Sequence, residues 1–290
     1  MNAHGEPAAF RADSFSVFLA CQLSFTSAII EKCSSKGEDA HALARAPKIA
    51  PNRNALHPFD RKYGTDTGGY LSPDDLRGGA TSDAMNNGYS AVGPSVFRVA
   101  CRRWRETLLS STSRLEAYTF VDVGAGKGRA LLLAAESPFR KVIGVELNEE
   151  LARIARRNII IWKRTTRSRG KIRVLEQDAL DFRWPRAPLL VYLNNPFECE
   201  LVEKLAARLA SLAASGPGLV DLLYVNPACA DTLTKNGNFE LLWNAQIQMD
   251  EADQQADPYG AASDRVAAFR FRTQRPGGNF PRPTARAPAA

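Results

Sequence analysis

Few residues in this chain could carry metal or disulfide chemistry. Its three histidines, His4, His41 and His57, all fall within the first fifth of the 290 residues. The five cysteines are scattered, and none belongs to a CxxC pair. These absences argue against a structural zinc site and a disulfide framework, and they favour a reducing compartment such as the cytoplasm. We expect no metal site.

The chain also lacks a long uninterrupted apolar run. Its most apolar N-terminal stretch, residues 14–30, is interrupted by Gln22, Ser24, Thr26 and Ser27 and is too short and too polar to span a bilayer. We therefore expect no membrane partner. Residues 1–56, which show no sustained periodicity, are interpreted as a disordered leader, and residues 273–290, built from Pro, Gly, Ala and Arg, as a disordered tail.

Positive charge is not concentrated in the middle of the chain. The net charge is +7, but residues 1–56 contribute +1 and residues 273–290 contribute +3, so about +3 remains. Arg153–Arg173 stands out, with nine Lys or Arg and no acid. Part of this run forms the exposed face and the C-terminus of a predicted helix, where cations complement the helix dipole. The rest is either a solvated surface or a contact for an acidic partner or phosphates.

Short Val/Ile/Leu runs alternate with amphipathic segments from Pro94 to Arg272, which predicts a doubly wound α/β fold with a mostly parallel sheet. We expect residues 57–111 to form a lid and helix segment, and residues 112–272 to form the main domain. Helices are predicted at Pro94–Leu109, Lys127–Ala135, Glu149–Lys163 and Glu200–Ala214. Strands are predicted at Thr119–Val123, Lys141–Leu147, Ile172–Gln177, Pro188–Leu193, Val220–Val225, Phe239–Ile247 and Val266–Phe271. The last two follow each other without a long helix, which predicts an antiparallel edge hairpin.

The strongest motif is FVDVGAGKGRALLLAA, residues 120–135. A strand ends at Val123, and Gly124, Gly126 and Gly128 make a tight turn into a helix, which suits a ligand lying close to the backbone. A dinucleotide fingerprint needs G-x-G-x-x-G, but its last position is Arg129 here. Asp122, two residues before the first glycine, suits the ammonium end of S-adenosylmethionine (SAM) better than a pyrophosphate.

Acidic residues follow the next two predicted strands. Glu146 ends the strand in VIGVELN, where a carboxylate can accept both hydroxyls of an adenosine ribose. Asp178 ends the strand in VLEQDALDF and can accept from an adenine amino group, with Asp181 as a competing candidate. Glu149 and Glu150, after the predicted N-cap Asn148, already complement the N-terminus of the following helix.

The turn YLNNPF, residues 192–197, follows the fourth strand at the ligand-bearing edge of such a sheet. The side-chain oxygens of Asn194 and Asn195 can accept hydrogens from an acceptor nitrogen, and Phe197 can pack on a flat base or a lysine stem. Tyr89, in the Gly-rich segment before the core, is a candidate proton acceptor. Together with Asp66 and Thr67 it is predicted to form a lid.

These motifs together resemble the class I (seven-strand, Rossmann-like) SAM-dependent methyltransferases. The resemblance runs from Phe120 to Phe271 and is nearest to non-SET protein-lysine methyltransferases and their bacterial relatives. Amino-methylating nucleic-acid enzymes are also similar, but they have proline where this chain has Asn195. Ala179 stands where the family usually has an aromatic residue beside the adenine-site acid. The cofactor-binding residues implied are Asp122, Gly124, Ala125, Gly126, Gly128, Glu146, Asp178, Ala179 and Asn194; the catalytic residues implied are Asn194, Asn195, Phe197 and Tyr89.

The resemblance implies methyl transfer from SAM to an amino nitrogen, with a protein lysine as the leading acceptor. A small molecule or a nucleic acid is the alternative acceptor, nucleic acid not being favoured. A SAM- or nucleotide-binding module without catalysis is a further alternative.

Overall fold

The computed structural model describes residues 56–76, 87–108, 114–168, 170–216, 219–235, 237–258 and 260–272. The predicted leader, apart from its last residue, and the predicted tail lie outside these ranges. The described helices are α1 (Pro58–Tyr63), α2 (Pro73–Leu76), α3 (Pro94–Glu106), α4 (Arg129–Ala134), α5 (Glu149–Thr166), α6 (Cys199–Ser215), α7 (Ala230–Thr234) and α8 (Glu251–Ala256). The described strands are β1 (Tyr70–Leu71), β2 (Tyr89–Ser90), β3 (Thr119–Val123), β4 (Lys141–Glu146), β5 (Ile172–Glu176), β6 (Leu189–Asn194), β7 (Val220–Val225), β8 (Phe239–Gln248) and β9 (Ser263–Phe271).

A seven-stranded sheet in the order β5-β4-β3-β6-β7-β9-β8 forms the centre of the fold. Strands β3 to β7 pair in parallel, whereas β9 runs antiparallel to both β7 and β8. The predicted doubly wound, mostly parallel seven-stranded sheet with an antiparallel edge hairpin is confirmed. The short helix α8, which lies between the two hairpin strands, was not predicted.

Apolar layers of helices cover both faces of the sheet, and its central strands are therefore buried on both sides. Every residue of β3 and β7 is buried. Helices α3, α4 and α5 pack on one face, and α6 packs on the other. Side chains alternate along a strand, so Asp122, Glu146, Tyr192 and Asn194 share the face that α3 to α5 cover. The alternation therefore gathers four polar side chains at the carboxyl end of one face.

Helix boundaries follow local backbone chemistry. Helix α5 starts after Asn148, whose side chain accepts from the Leu151 amide, so the predicted cap is present. Helix α4 begins two residues later than predicted because Gly128 has φ +88° and cannot belong to the helix. None of the described helices is long and apolar enough to cross a membrane.

Candidate functional site

A cavity opens at the carboxyl ends of β3, β4 and β6, under the segment 87–92. Helices α4, α5 and α6 also contribute to its wall. Most of the predicted site residues line it. They are Tyr89, Asp122, Gly124, Ala125, Gly126, Glu146, Asp178, Ala179, Asn194 and Phe197. Gly128 and Asn195 are not among the described lining residues.

The glycine turn needs its glycines for backbone conformation and for close approach. Gly124 has φ +75°, and a Cβ there would lie 2.7 Å from Cβ of Pro196. Gly126 has φ +53°, and a Cβ there would lie 2.1 Å from the Tyr89 ring. L-residues rarely adopt such φ values. Tyr89 and the loop after β6, which contains Pro196, therefore lie directly against the backbone of the turn.

The third glycine serves packing instead. Gly128 has φ +88°, and a Cβ there would meet the Ala155 side chain of α5 at 3.2 Å. This contact sets how closely α4 approaches α5. A direct cofactor contact by Gly128 stays a prediction.

Glu146 is held in place by backbone donors. Its Oε2 accepts from the Gly126 amide at 2.7 Å, and its Oε1 accepts from the Asn148 amide at 2.9 Å. Burial raises the pKa of Glu146, while the amides of Asn148, Gly126 and Leu147 lower it. Each carboxylate oxygen can accept more than one hydrogen bond, so both can still receive hydroxyl groups.

Asp122 is a buried carboxyl with no hydrogen bond or ion pair among the described residues. Burial and, secondarily, the Glu146 charge raise its pKa well above the usual value. Its neighbour on β6, Tyr192, has a buried hydroxyl that also has no partner in the described part of the chain. The sequence analysis did not single out Tyr192. The only feature of the sequence that could have indicated Tyr192 is its hydroxyl group within an otherwise apolar strand, two residues before Asn194.

The structure separates the two carboxylates proposed for the adenine end. Asp178 lines the cavity, and its Oδ1 accepts from the Leu180 amide at 2.7 Å. Asp181 is exposed and is not among the described lining residues. The geometry therefore favours Asp178.

The β6 loop turns its two asparagines in different directions. Asn194 lines the cavity, and its Nδ2 donates to the Ser90 carbonyl at 2.9 Å. Asn195 has φ +43°, and its Oδ1 accepts from the Tyr224 hydroxyl at 3.2 Å. This positive φ directs the Asn195 amide towards β7, so its predicted contact with an acceptor stays a prediction.

Tyr89 lies over the glycine turn and is held there by Thr67. Its hydroxyl donates to the Thr67 carbonyl at 2.7 Å. Burial raises the pKa of Tyr89 far above that of a free tyrosine. The hydroxyl therefore stays protonated at neutral pH, which disfavours a role as proton acceptor and leaves one in closing the cavity.

A buried ion pair between Arg129 and Asp60 was missed by the sequence analysis. Arg129 donates to Asp60 Oδ2 at 3.0 Å and to Thr67 Oγ1 at 2.7 Å. Thr65 and Thr67 donate to the other Asp60 oxygen. Both charged side chains are almost fully buried. Arg129 at the start of an otherwise apolar helix was the available signal, because a buried arginine needs a partner.

Cys199 and Cys229 form a disulfide, which corrects the expectation of unpaired cysteines. Cys199 opens α6 after the β6 loop, and Cys229 follows the loop after β7. Strands β6 and β7 are parallel neighbours, so the segments that follow them begin side by side. The Cα atoms of Cys199 and Cys229 are 5.2 Å apart, within the usual disulfide range. The pairing also removes the basis for predicting a reducing, cytoplasmic compartment.

We expect the Cys199→Ser/Cys229→Ser variant to unfold more easily than the wild type. The bond closes a loop across a sequence separation of 30, and loss of such a constraint costs roughly 3 to 4 kcal/mol. The melting temperature should therefore fall by about 10 °C in calorimetry. Cys101→Ser, which keeps the pair, is the control and should shift the melt by less than about 3 °C. Alkylation of both cysteines in the folded wild type without reductant would contradict the bond.

This chain is similar to known proteins in structure only. No protein-family model matches the chain, and no curated protein matches it. The tRNA methyltransferase TrmK of B. subtilis is similar over 63% of this chain and 68% of its own, with 12% identity and a TM-score of 0.43. TrmN from Thermus thermophilus is similar over 62% and 49%, with 20% identity and a TM-score of 0.40.

Magnesium protoporphyrin IX methyltransferase from Synechocystis PCC 6803, solved with bound SAM, is similar over 61% of this chain and 82% of its own, with 12% identity and a TM-score of 0.40. At these scores, the activities of the three proteins do not transfer to this chain. Among the described residues, no group of His, Cys, Asp and Glu suits a metal ion.

Proposed function

We propose that this chain is a SAM-dependent methyltransferase. The observation that carries the proposal is Asp122, a buried carboxyl that lines the cavity next to Glu146 without a described partner. A buried carboxylate is costly unless a cation or hydrogen-bond donors compensate it. SAM brings both, in its ammonium and sulfonium groups and its ribose hydroxyls.

The other lining residues fit the remaining parts of SAM. Glu146 would accept the ribose hydroxyls, since its two oxygens are already fixed by backbone amides. Asp178 would accept from the adenine amino group. Leu147 and Leu180 line the same end of the cavity and would pack on the adenine where the resembled family has an aromatic residue. When bound, SAM supplies an electrophilic methyl group for in-line displacement.

We propose an amino nitrogen as the methyl acceptor. Because the Asn194 amide nitrogen is engaged by the Ser90 carbonyl, the side-chain oxygen is left to accept a hydrogen from the incoming amine. Phe197 would pack on the part of the acceptor molecule that carries this amine. The amine nitrogen forms the new bond to carbon, the sulfur keeps the electrons of the broken bond, and the amine proton leaves to solvent. Positioning and exclusion of water would then supply most of the catalysis.

We expect SAM binding to release a proton and to weaken as the pH falls. The raised pKa of Asp122 favours its protonated form, whereas a cationic ligand favours the ionised form. Affinity should therefore rise with pH until Asp122 is ionised. Titration calorimetry in two buffers of different ionisation enthalpy measures the released proton. In Asp122→Asn, the affinity should fall about tenfold or more and the pH dependence should be reduced.

Asp181→Asn is the matched control, because it removes an exposed carboxylate that is not among the described lining residues. It should bind SAM like the wild type. The proposal fails if neither SAM nor its demethylated product gives heat with the folded chain, and more decisively if a nicotinamide dinucleotide binds instead.

The acceptor class can be identified with methyl-labelled SAM and a cell lysate. Protease-sensitive label would support the protein-lysine alternative, nuclease-sensitive label a nucleic acid, and label in small solutes a metabolite. An Asn194→Ala variant should transfer less label than the wild type at a SAM concentration that saturates both proteins. SAM binding with no transfer to any fraction would favour a module without catalysis.

A further inference from the structure

We infer that helix α5 carries a binding surface for single-stranded nucleic acid. This α5 surface consists of Arg153, Arg157, Ile160, Arg164 and Arg167, all of them exposed. The inference rests on the proposed function only in its suggestion that the bound strand carries the methyl acceptor. The binding itself can be tested without any methyl transfer.

The surface is a continuous stripe rather than a random set of charges. Arg153, Arg157, Ile160 and Arg164 are spaced by four, three and four positions, so they fall within about a sixth of the helix circumference. Arg167 follows them as the C-cap residue, with a left-handed backbone. The helical part of the stripe, from Arg153 to Arg164, is about 17 Å long, from a rise of 1.5 Å per residue. Arg156 and Lys163 flank it on one side. The packed face of α5 is separate and includes Leu151, Ala155 and Trp162.

Most of the positive charge on the stripe is not neutralised within the described chain. Arg153 pairs with Glu150, and the flanking Arg156 pairs with Glu176. Arg157, Arg164 and Arg167 have no carboxylate partner among the described residues. The sequence from 151 to 175 contains no acid at all. A row of uncompensated guanidinium groups is suited to a polyanion.

Helix α1 extends this positive surface. Thr165 of α5 donates to the Tyr63 carbonyl at 3.2 Å, which fixes the end of α1 beside the last turn of α5. Exposed Arg61 and Lys62 therefore add two cations at that end. The acid of α1, Asp60, is buried and paired with Arg129. It does not offset the charge at the surface.

The orientation of α5 favours a strand that leads to the cavity. Leu151, in the first turn, lines the cavity from the packed face of α5, and the stripe begins with Arg153 on the exposed face of the same end of the helix. A strand bound along the stripe would have one end beside the first turn of α5, the turn that contributes Leu151 to the cavity wall. A regularly spaced polyanion uses the whole row, whereas an acidic peptide would need a matching periodicity of its own.

The test is the salt dependence of binding to a fluorescent single-stranded RNA of about 12 nucleotides, followed by fluorescence anisotropy. The stripe variant is Arg157→Gln/Arg164→Gln/Arg167→Gln. The control variant, Arg102→Gln/Arg103→Gln/Arg208→Gln, removes three exposed arginines from α3 and α6. Each lost phosphate contact lowers the slope of log K against log salt by about 0.7 for a single strand. The stripe variant should lose about 2 from the slope and bind at least about tenfold more weakly at low salt.

Two further measurements distinguish this result from others. All variants should keep the circular dichroism spectrum and the SAM affinity of the wild type, since the mutated side chains are exposed. The inference is overturned if the wild type does not bind RNA at about 50 mM salt, or if the control variant loses as much slope as the stripe variant. It is also overturned if polyglutamate competes as well as RNA, which would indicate an acidic protein partner. Failure to bind SAM would count only against the proposed function.

Discussion

Replacing Gly126 with valine should reduce SAM affinity at least 100-fold, by about 2.7 kcal/mol. The residue has φ +53°, which costs a β-branched side chain roughly 1 to 3 kcal/mol. A Cβ would also lie 2.1 Å from the Tyr89 ring, so the ring must leave its position over the turn. Because the Gly126 amide donates to Glu146, the predicted ribose acceptor should shift as well. Calorimetry with SAM measures the loss.

Gly237→Val is the matched control for backbone strain. Gly237 has φ +68°, but nothing lies within 4 Å of a Cβ built there, and it is not among the described cavity residues. This variant should lose some stability and keep its SAM affinity. The combination Gly126→Ala/Tyr89→Ala should recover part of the affinity lost in Gly126→Ala, because the clashing ring is gone. If Gly126→Val bound SAM normally, the turn would have to be excluded from the site.

Replacing Arg129 with methionine should destabilise the protein by roughly 3 to 5 kcal/mol. The change leaves the Asp60 carboxylate buried, still hydrogen-bonded to Thr65 and Thr67 but without its counter-charge. Arg129→Lys should not restore the wild type fully, because one ammonium cannot reach Asp60, Thr67 and the Val92 carbonyl in the same geometry. Urea unfolding with a two-state fit gives the free energy.

The exposed pair Arg98–Glu136 provides a comparison. Arg98→Met removes a similar ion pair from the surface and should cost less than about 1 kcal/mol. Loss of Arg129 should also weaken SAM binding, since Thr67 anchors the Tyr89 hydroxyl over the glycine turn. Equal costs for the two arginine variants would show that the buried network contributes no special stability.

The sequence sufficed for those features that depend on neighbouring residues in the chain. The glycine turn after Val123 follows from local spacing and backbone preference, and the structure has positive φ at all three glycines. The alternation of apolar runs indicated a parallel sheet with a final hairpin. Glu146 and Asp178 both line the cavity because the carboxyl ends of parallel strands meet at one edge.

Features that depend on distant residues could not be read in the same way. Cys199 and Cys229 look unrelated in the sequence, and only the adjacency of β6 and β7 brings them together. The position of Tyr89 over Gly126 depends on the fold of a loop without periodicity. Asn194 and Asn195 are the same residue type and adjacent in the sequence. Asn195 nevertheless has a left-handed backbone, and its side chain contacts Tyr224. Local pattern does not determine such side-chain directions.

Strand β9 has a consequence for synthesis on the ribosome. It is the last described strand of the chain, yet it lies between β7 and β8, and Val266, Ala267 and Ala268 are fully buried. Until it emerges, both neighbours present unsatisfied edges that can recruit other chains. A premature stop before Ser263 would therefore produce an aggregation-prone fragment rather than a less stable folded protein. During synthesis, the sheet cannot be completed until the hairpin of β8 and β9 has left the ribosome. We therefore expect the need for a chaperone to be greatest just before β9 emerges.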